Sequence, residues 1–344
     1  MSDSPKLDVL KEDMASETNL PAMRTFITPN DLFFVRSRYP APSIAKSSWT
    51  LTIEGEVENT LELTLDDLLK LPQKTLPVTM ECAGNGRTSL DPPAPGLQFG
   101  TGAVSTAEWT GVPLFHILEQ AKLKASAIEL CMQAADQNPE KGEDQPEFYE
   151  RGLILEKALD PDTLLVFQMN GEELPLEHGF PVRVIVPGWY GMASVKWLTR
   201  IVALDHSYEG HFNINEYVIK NAGEETKQVS TLLVKSLVTN PSENASLPLG
   251  SQKITGVAWS AAEIDHVDVS TDGGSSWNQA VLEEPKSRYA WRHWSYTWDA
   301  SESGGYVIMS RAFDTQGNSQ PDIAHWNELG YKINPVHSVP VVVS

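Results

Sequence analysis

From Trp49 the chain alternates, with Trp49, Leu51 and Ile53 set against Thr50, Thr52 and Glu54, and a period of two predicts a half-buried strand. Leu76 to Met80 repeats the pattern. Ile128 to Gln133 and Thr163 to Met169 are predicted strands, the latter followed by Asn170-Gly171, a strong hairpin-turn signal. Helical spacing is rarer. Thr64 is a candidate cap for a short helix whose apolar face would be Leu65, Leu68 and Leu69, with Asp66 and Asp67 at the positive end of its dipole. Val112 to Lys122 predicts a second helix with Leu114, Ile117, Leu118 and Ala121 inward.

Past Asn221 the texture changes to short strands between turns: Leu232 to Val238, Gln252 to Trp259, His266 to Ser270 and Tyr306 to Ala312. Asp272-Gly273-Gly274 and Gln316-Gly317-Asn318 mark turns, and tryptophans recur at 259, 277, 291, 294 and 298. This predicts an antiparallel sandwich of immunoglobulin type without its disulfide. The expected fold class is therefore α+β, as a 1–25 extension with weak patterning and loose packing, a mixed domain over 26–224 and an all-β domain over 225–344.

At 344 residues the chain can support two cores. A formal net charge of -20 disfavours nucleic acid and anionic membranes as partners, so an anionic ligand needs a local concentration of bases. No segment approaches the roughly 20 apolar residues of a membrane span, and Met1 to Asp13 lacks a signal-peptide core. A soluble, cytoplasmic protein is expected. Asp136 to Tyr149 reads as a long acidic loop, a length often tied to function.

The chemistry centres on Met80-Glu81-Cys82-Ala83-Gly84-Asn85-Gly86-Arg87, where a strand stops and glycines permit positive φ and close backbone approach. A lone cysteine is more often a small buried apolar group than a ligand. Only Cys82 and Cys131 exist, too few for a structural zinc site, but one thiolate could anchor a metal whose other ligands come from a bound cofactor. Cys131 lies in an apolar run and is expected to be buried.

Phe33-Phe34-Val35-Arg36, Glu81 to Arg87, His178-Gly179-Phe180-Pro181-Val182-Arg183 and Val195-Lys196-Trp197, in this order and ahead of a sandwich domain, resemble the sulfite oxidase family of molybdenum enzymes in a haem-less form. The resemblance covers almost the whole chain. It implies Mo-molybdopterin as cofactor, with Cys82 the one protein ligand to molybdenum. It further implies a cofactor grip by Phe34, Val35, Arg36, Ser37, Arg38, Asp136, His178, Arg183, Ser194, Val195 and Lys196. Arg36, Arg87 and Arg288 would hold an oxyanion substrate, and Tyr217 would orient it.

The activity implied is oxidation of sulfite to sulfate. With no Cys-x-x-Cys-His haem attachment in the chain, electrons would pass to an external acceptor such as a cytochrome. A homodimer through the second domain is implied as well. Departures from the family pattern touch the substrate wall: Phe99 replaces a tryptophan, Pro95 a lysine, Ser37 an asparagine and Gly86 an arginine. They keep two alternatives open, namely a relative acting on nitrate, a sulfoxide or another sulfur compound, and a binding protein with a relic cofactor domain.

Overall fold

The computed structural model describes residues 5–11, 14–141, 146–223 and 225–344. Strand dominates, and the longest helix, Leu114–Ala121, has eight residues. The expected mixture of helix and strand is present, in a mostly β architecture with few helices, because outside two short stretches the apolar period is two. Leu114, Ile117, Leu118 and Ala121 are all buried as their spacing predicts. The Thr64 cap forms a reciprocal capping box with Asp67. Leu69, however, is 41% exposed. The helix Leu65–Leu69 is little more than one turn and lays only Leu65 and Leu68 on the core. No helix of the described residues is long and apolar enough to cross a membrane.

Two five-stranded sheets build the first domain. In one, Lys74–Glu81 pairs antiparallel with Val104–Pro113, which pairs in turn with Leu164–Met169. In the other, Leu198–Leu204 runs parallel to Thr50–Gly55 and antiparallel to Glu129–Gln137. The hairpin at Asn170-Gly171 forms with both residues at positive φ.

The N-terminal stretch packs more firmly than its sequence suggests. Leu7–Lys11, Ala15–Thr18 and Val35–Arg36 form a small sheet that buries Ala15, Ser16 and Thr18, and the Thr18 hydroxyl shares a hydrogen bond with Ser105 at 2.7 Å. Met1 to Ser4 and Glu12-Asp13 lie outside the described residues. The acidic loop shrinks too, since Glu129–Gln137 and Phe148–Ile154 reach into it as paired strands; Gly142 to Gln145 lie outside the described residues.

The second domain stacks a four-stranded sheet, built on Gly250–Trp259 and Arg292–Ala300, on a five-stranded one built on Gly304–Asp314 and His337–Val343. Their facing sides share one core containing Val238, Ile254, Trp294, Val267, Ile308 and Val341. Trp259 and Trp291 depart from the sandwich core and belong with the core of the first domain. The two domains therefore share continuous apolar packing, and each fully buried large side chain there contributes roughly 1.5–3 kcal/mol.

Candidate active site

Cys82 sits one residue beyond the strand Lys74–Glu81, and its N–H donates to the Ala103 carbonyl at 2.9 Å, extending the sheet by one rung. The chain then turns: Asn85 N–H donates to the Cys82 carbonyl at 3.0 Å, and Gly86 has φ +95°. A Cβ at Gly86 would stand 3.0 Å from the Ile333 carbonyl oxygen, so glycine is required both for the turn and for the approach of the C-terminal segment.

Two cavities meet at this turn. The inner one is lined by Phe34, Ser37, Asp136, His178, Arg183, Ser194 and Lys196 among others. The outer one is lined by Arg87, Leu97, Phe99, Leu329 and Tyr331. Arg36, Arg38, Cys82 and Tyr217 line both. The cysteine is thus a dividing post between two chambers.

The inner chamber is strongly cationic. Arg183 is fully buried, donating from Nη1 to the His178 carbonyl and from Nη2 to the Ser194 carbonyl, each at 2.9 Å, with its guanidinium over the Trp109 ring. Lys196 Nζ donates to Ser37 Oγ at 2.6 Å and to the Glu177 carbonyl at 2.7 Å. Among the described residues Arg36, Arg87, Arg183 and Lys196 have no carboxylate within ion-pair distance, whereas Arg38 pairs with Glu216 at 2.7 Å.

Burial pushes His178 down to about 3, with Lys196 and Arg183 adding to the effect, so the ring is neutral and its Nε2 lies 3.2 Å from the Asn30 carbonyl. Burial lowers Arg183 to about 9. Burial also lowers Lys196 and raises Asp136, each partly offsetting the other. The Cys82 thiol is pushed up by burial, against the Gly84 amide and the charges of Arg36 and Arg87.

This donor set fits an anionic organic cofactor that carries a thiophilic metal. Unpaired cations await acidic groups. Asp136 Oδ1, buried and without a partner among the described residues, awaits an N–H donor. Among the described residues no group of three or more His, Cys, Asp or Glu gathers to hold a metal, so a metal here would need its other ligands from the cofactor, with Cys82 the candidate protein ligand.

Most residues expected at the site come together there. Val35 and Val195 do not line either cavity: Val195 is buried in the apolar core, and Val35 pairs with Ser16. Arg288 must be corrected. Its guanidinium lies over the Tyr289 ring, in a separate cleft with Lys157, Asp160 and Trp189. The second domain instead reaches the outer cavity through Leu329 and Tyr331, on a segment the sequence did not single out. Met80, Tyr149, Met192 and Trp197 on the inner wall were also missed, because apolar residues in strands and turns carry no signal beyond burial.

Arg87 is held in place. Nη1 donates to the Leu97 carbonyl at 2.7 Å, Nη2 to the Leu329 carbonyl at 3.0 Å, and the guanidinium lies over Tyr331. A Cβ at Gly84 or Gly96 would stand 2.9 Å from its terminal nitrogens. Tyr217, at φ +49°, stacks on Tyr331 with ring centroids 5.4 Å apart.

Such a pair of chambers about one cysteine fits an oxidoreductase built around a molybdopterin-type group, and the comparisons with known proteins show that class. Residues 38–212 match the oxidoreductase molybdopterin binding domain, and residues 226–344 match the Mo-co oxidoreductase dimerisation domain. The chain is 34% identical to mitochondrial sulfite oxidase of Rattus norvegicus over 93% of its own length, and 34% identical to sulfite oxidase of Gallus gallus over 89%. It spans 62% of the rat protein and 71% of the chicken one. It is also 32% identical to nitrate reductase [NADH] of Cichorium intybus, covering 90% of this chain and 37% of that protein. Among solved structures, the sulfane dehydrogenase SoxCD from Paracoccus pantotrophus superposes with a TM-score of 0.86 at 30% identity, covering 97% of this chain and 87% of that one. The chain belongs to the sulfite oxidase family of molybdopterin-dependent oxidoreductases, whose cofactor is Mo-molybdopterin.

Proposed function

We propose that the protein moves an oxygen atom between water and a small sulfur oxyanion, with sulfite to sulfate as the reference reaction. The observation that carries this reading is the position of Cys82 on the wall common to both cavities, with unpaired cations on either side. When bound, the molybdenum cofactor supplies two-electron oxygen-atom transfer. Arg183 and Lys196 would hold its acidic end, Asp136 would accept from its N–H groups, and Cys82 would ligate the metal. Arg36 and Arg87 would hold the oxyanion, and the Tyr217 hydroxyl would orient it by a hydrogen bond. Fixed donors in a partly dry site stabilise developing charge more than mobile water does.

The released electrons would pass to an external one-electron acceptor of the cytochrome class. The second domain would pair two copies of the chain, a reading supported by its family match. We read its sandwich as immunoglobulin-type, supported by a sheet order in which Arg292–Ala300 lies between Gly250–Trp259 and Val281–Leu282. A monomeric mass in light scattering at micromolar concentration would remove the dimer.

A second reading, a dehydrogenase for another sulfur compound, is favoured by the second domain lining the outer cavity with Leu329 and Tyr331 and not with Arg288. The central test is Cys82→Ser. The variant should keep its circular dichroism spectrum but lose molybdenum by elemental analysis, together with sulfite-dependent ferricyanide reduction. Full metal retention would refute the assignment.

A further inference from the structure

We infer that the outer cavity selects a singly charged sulfur oxyanion bearing an apolar substituent, an organic sulfinate, over the small sulfite dianion. The inference rests on the oxidoreductase reading above and names the substrate class of that same site.

Charge gives the first argument. Of the three arginines on the outer wall, Arg38 is matched by Glu216 at 2.7 Å. Arg87 directs both terminal nitrogens to backbone carbonyls and lies over Tyr331, packed against Gly84, Gly96 and Gly330. Arg36 is left. One of its terminal nitrogens donates to the Ser37 carbonyl, and its other donors stay available beside Cys82. A single guanidinium fork matches two oxygens and one negative charge. Arg87 keeps its charge, but its terminal nitrogens are turned to carbonyls, so the second charge of a dianion meets no second free fork.

Shape and polarity give the second argument. The space open within the outer cavity, about 200 Å³, is larger than a four-atom ion fills. Its apolar lining is Leu97, Phe99, Leu329 and Tyr331, with the Tyr217 ring stacked on Tyr331. That surface would cover an aliphatic or aromatic group.

The chemistry balances. An organic sulfinate and water give the sulfonate, two protons and two electrons. One S–O bond forms to the water oxygen, two O–H bonds break, and sulfur is oxidised while its bond to carbon stays intact. Protons leave to solvent, and the electrons leave singly to an external acceptor, for which ferricyanide serves in the assay.

The experiment uses metal-loaded holoenzyme with benzenesulfinate and sulfite as donors, and calorimetric binding of benzenesulfonate and sulfate as product analogues. We expect kcat/KM for benzenesulfinate at least about tenfold above that for sulfite, and benzenesulfonate bound at least about tenfold more tightly than sulfate. Leu329→Arg, which adds a cation at the half-buried rim, should reverse both preferences. Leu97→Lys on the facing wall is a second variant should the first fail to fold. Higher kcat/KM for sulfite, with sulfate bound as tightly as benzenesulfonate, would overturn the substrate class and leave the oxidase reading intact. Oxidation of neither donor by holoenzyme would overturn both.

Discussion

Lys235 Nζ lies 3.1 Å from Glu81 Oε1, and both side chains are almost wholly buried. The pair joins the second domain to the residue that immediately precedes Cys82. Lys235 also donates to the Asn85 and Ile333 carbonyls, Asn85 Nδ2 donates to Glu81 at 2.9 Å, and Trp259 Nε1 donates to the other Glu81 oxygen at 2.8 Å. Every polar atom of the carboxylate is thus engaged, as a buried charge requires. The turn that presents the thiol rests on a polar knot tied across the domain boundary.

Cutting that knot on one side should be costly. Lys235→Met leaves the Glu81 carboxylate without its countercharge and should lower unfolding free energy by about 3–5 kcal/mol in a denaturant titration. The double variant Glu81→Gln, Lys235→Met should recover a large part of this. Equal losses for single and double variants would show that the pair is not coupled.

Arg87→Met should raise KM for an anionic donor about tenfold while molybdenum content stays unchanged, since Arg87 lines only the outer cavity. A fall in metal content would contradict this placement. Gly96→Ala tests the same point from the backbone side. Its Cβ would meet Arg87 Nη1 at 2.9 Å from a residue at φ +98°, so KM should rise in the same direction.

Arg288→Ala should leave KM within about twofold of the parent, because the side chain rests on Tyr289 in a different cleft. A larger rise would return Arg288 to the substrate wall.

The pH dependence of stability has an identifiable source outside the active site. His337 is half-buried, its Nδ1 accepts the Val238 N–H at 3.0 Å, and desolvation of the ring with the nearby Lys235 charge pushes it down to about 4. An unfolded imidazole takes up its proton near 6.5, while the folded one resists until about 4. The contribution is therefore complete above pH 6.5 and is lost as the pH falls towards 4, by on the order of 3 kcal/mol. His337→Asn keeps an acceptor for Val238 and cannot titrate. Its unfolding free energy should fall less steeply than the parent's between pH 7 and pH 4, measured side by side.

The sequence disclosed the parts of the site whose chemistry is local. Cys82 at a glycine turn, and Arg183 and Lys196 in a chain of strong negative charge, are residues whose type and setting already limit what they can do. Arg288 failed because the sequence places an arginine in the second domain but not where its loop meets the first: Ser287 donates to the Pro77 carbonyl and Tyr289 bridges to Val78, which sets Arg288 in a different cleft. The outer cavity is reached by the segment around Leu329, fixed by Arg87 and by the contact of Gly86 with Ile333, all long-range facts. Glu81 was visible as the end of a strand, yet its role depends on Lys235, 154 residues away. The early strands were missed for a similar reason: Ala15–Thr18 is polar and short, and is buried only because Val35–Arg36 and Ser105 complete it.

Four residues, Arg36, Arg38, Cys82 and Tyr217, face both chambers, whereas Leu97, Phe99, Leu329 and Tyr331 face only the outer one. No change to the first group can retune what is recognised without disturbing how the prosthetic group is seated. The second group carries no such double duty. A lineage diversifying from this scaffold would keep the inner quartet fixed and draw new selectivity from the rim, half of which comes from the far end of the chain.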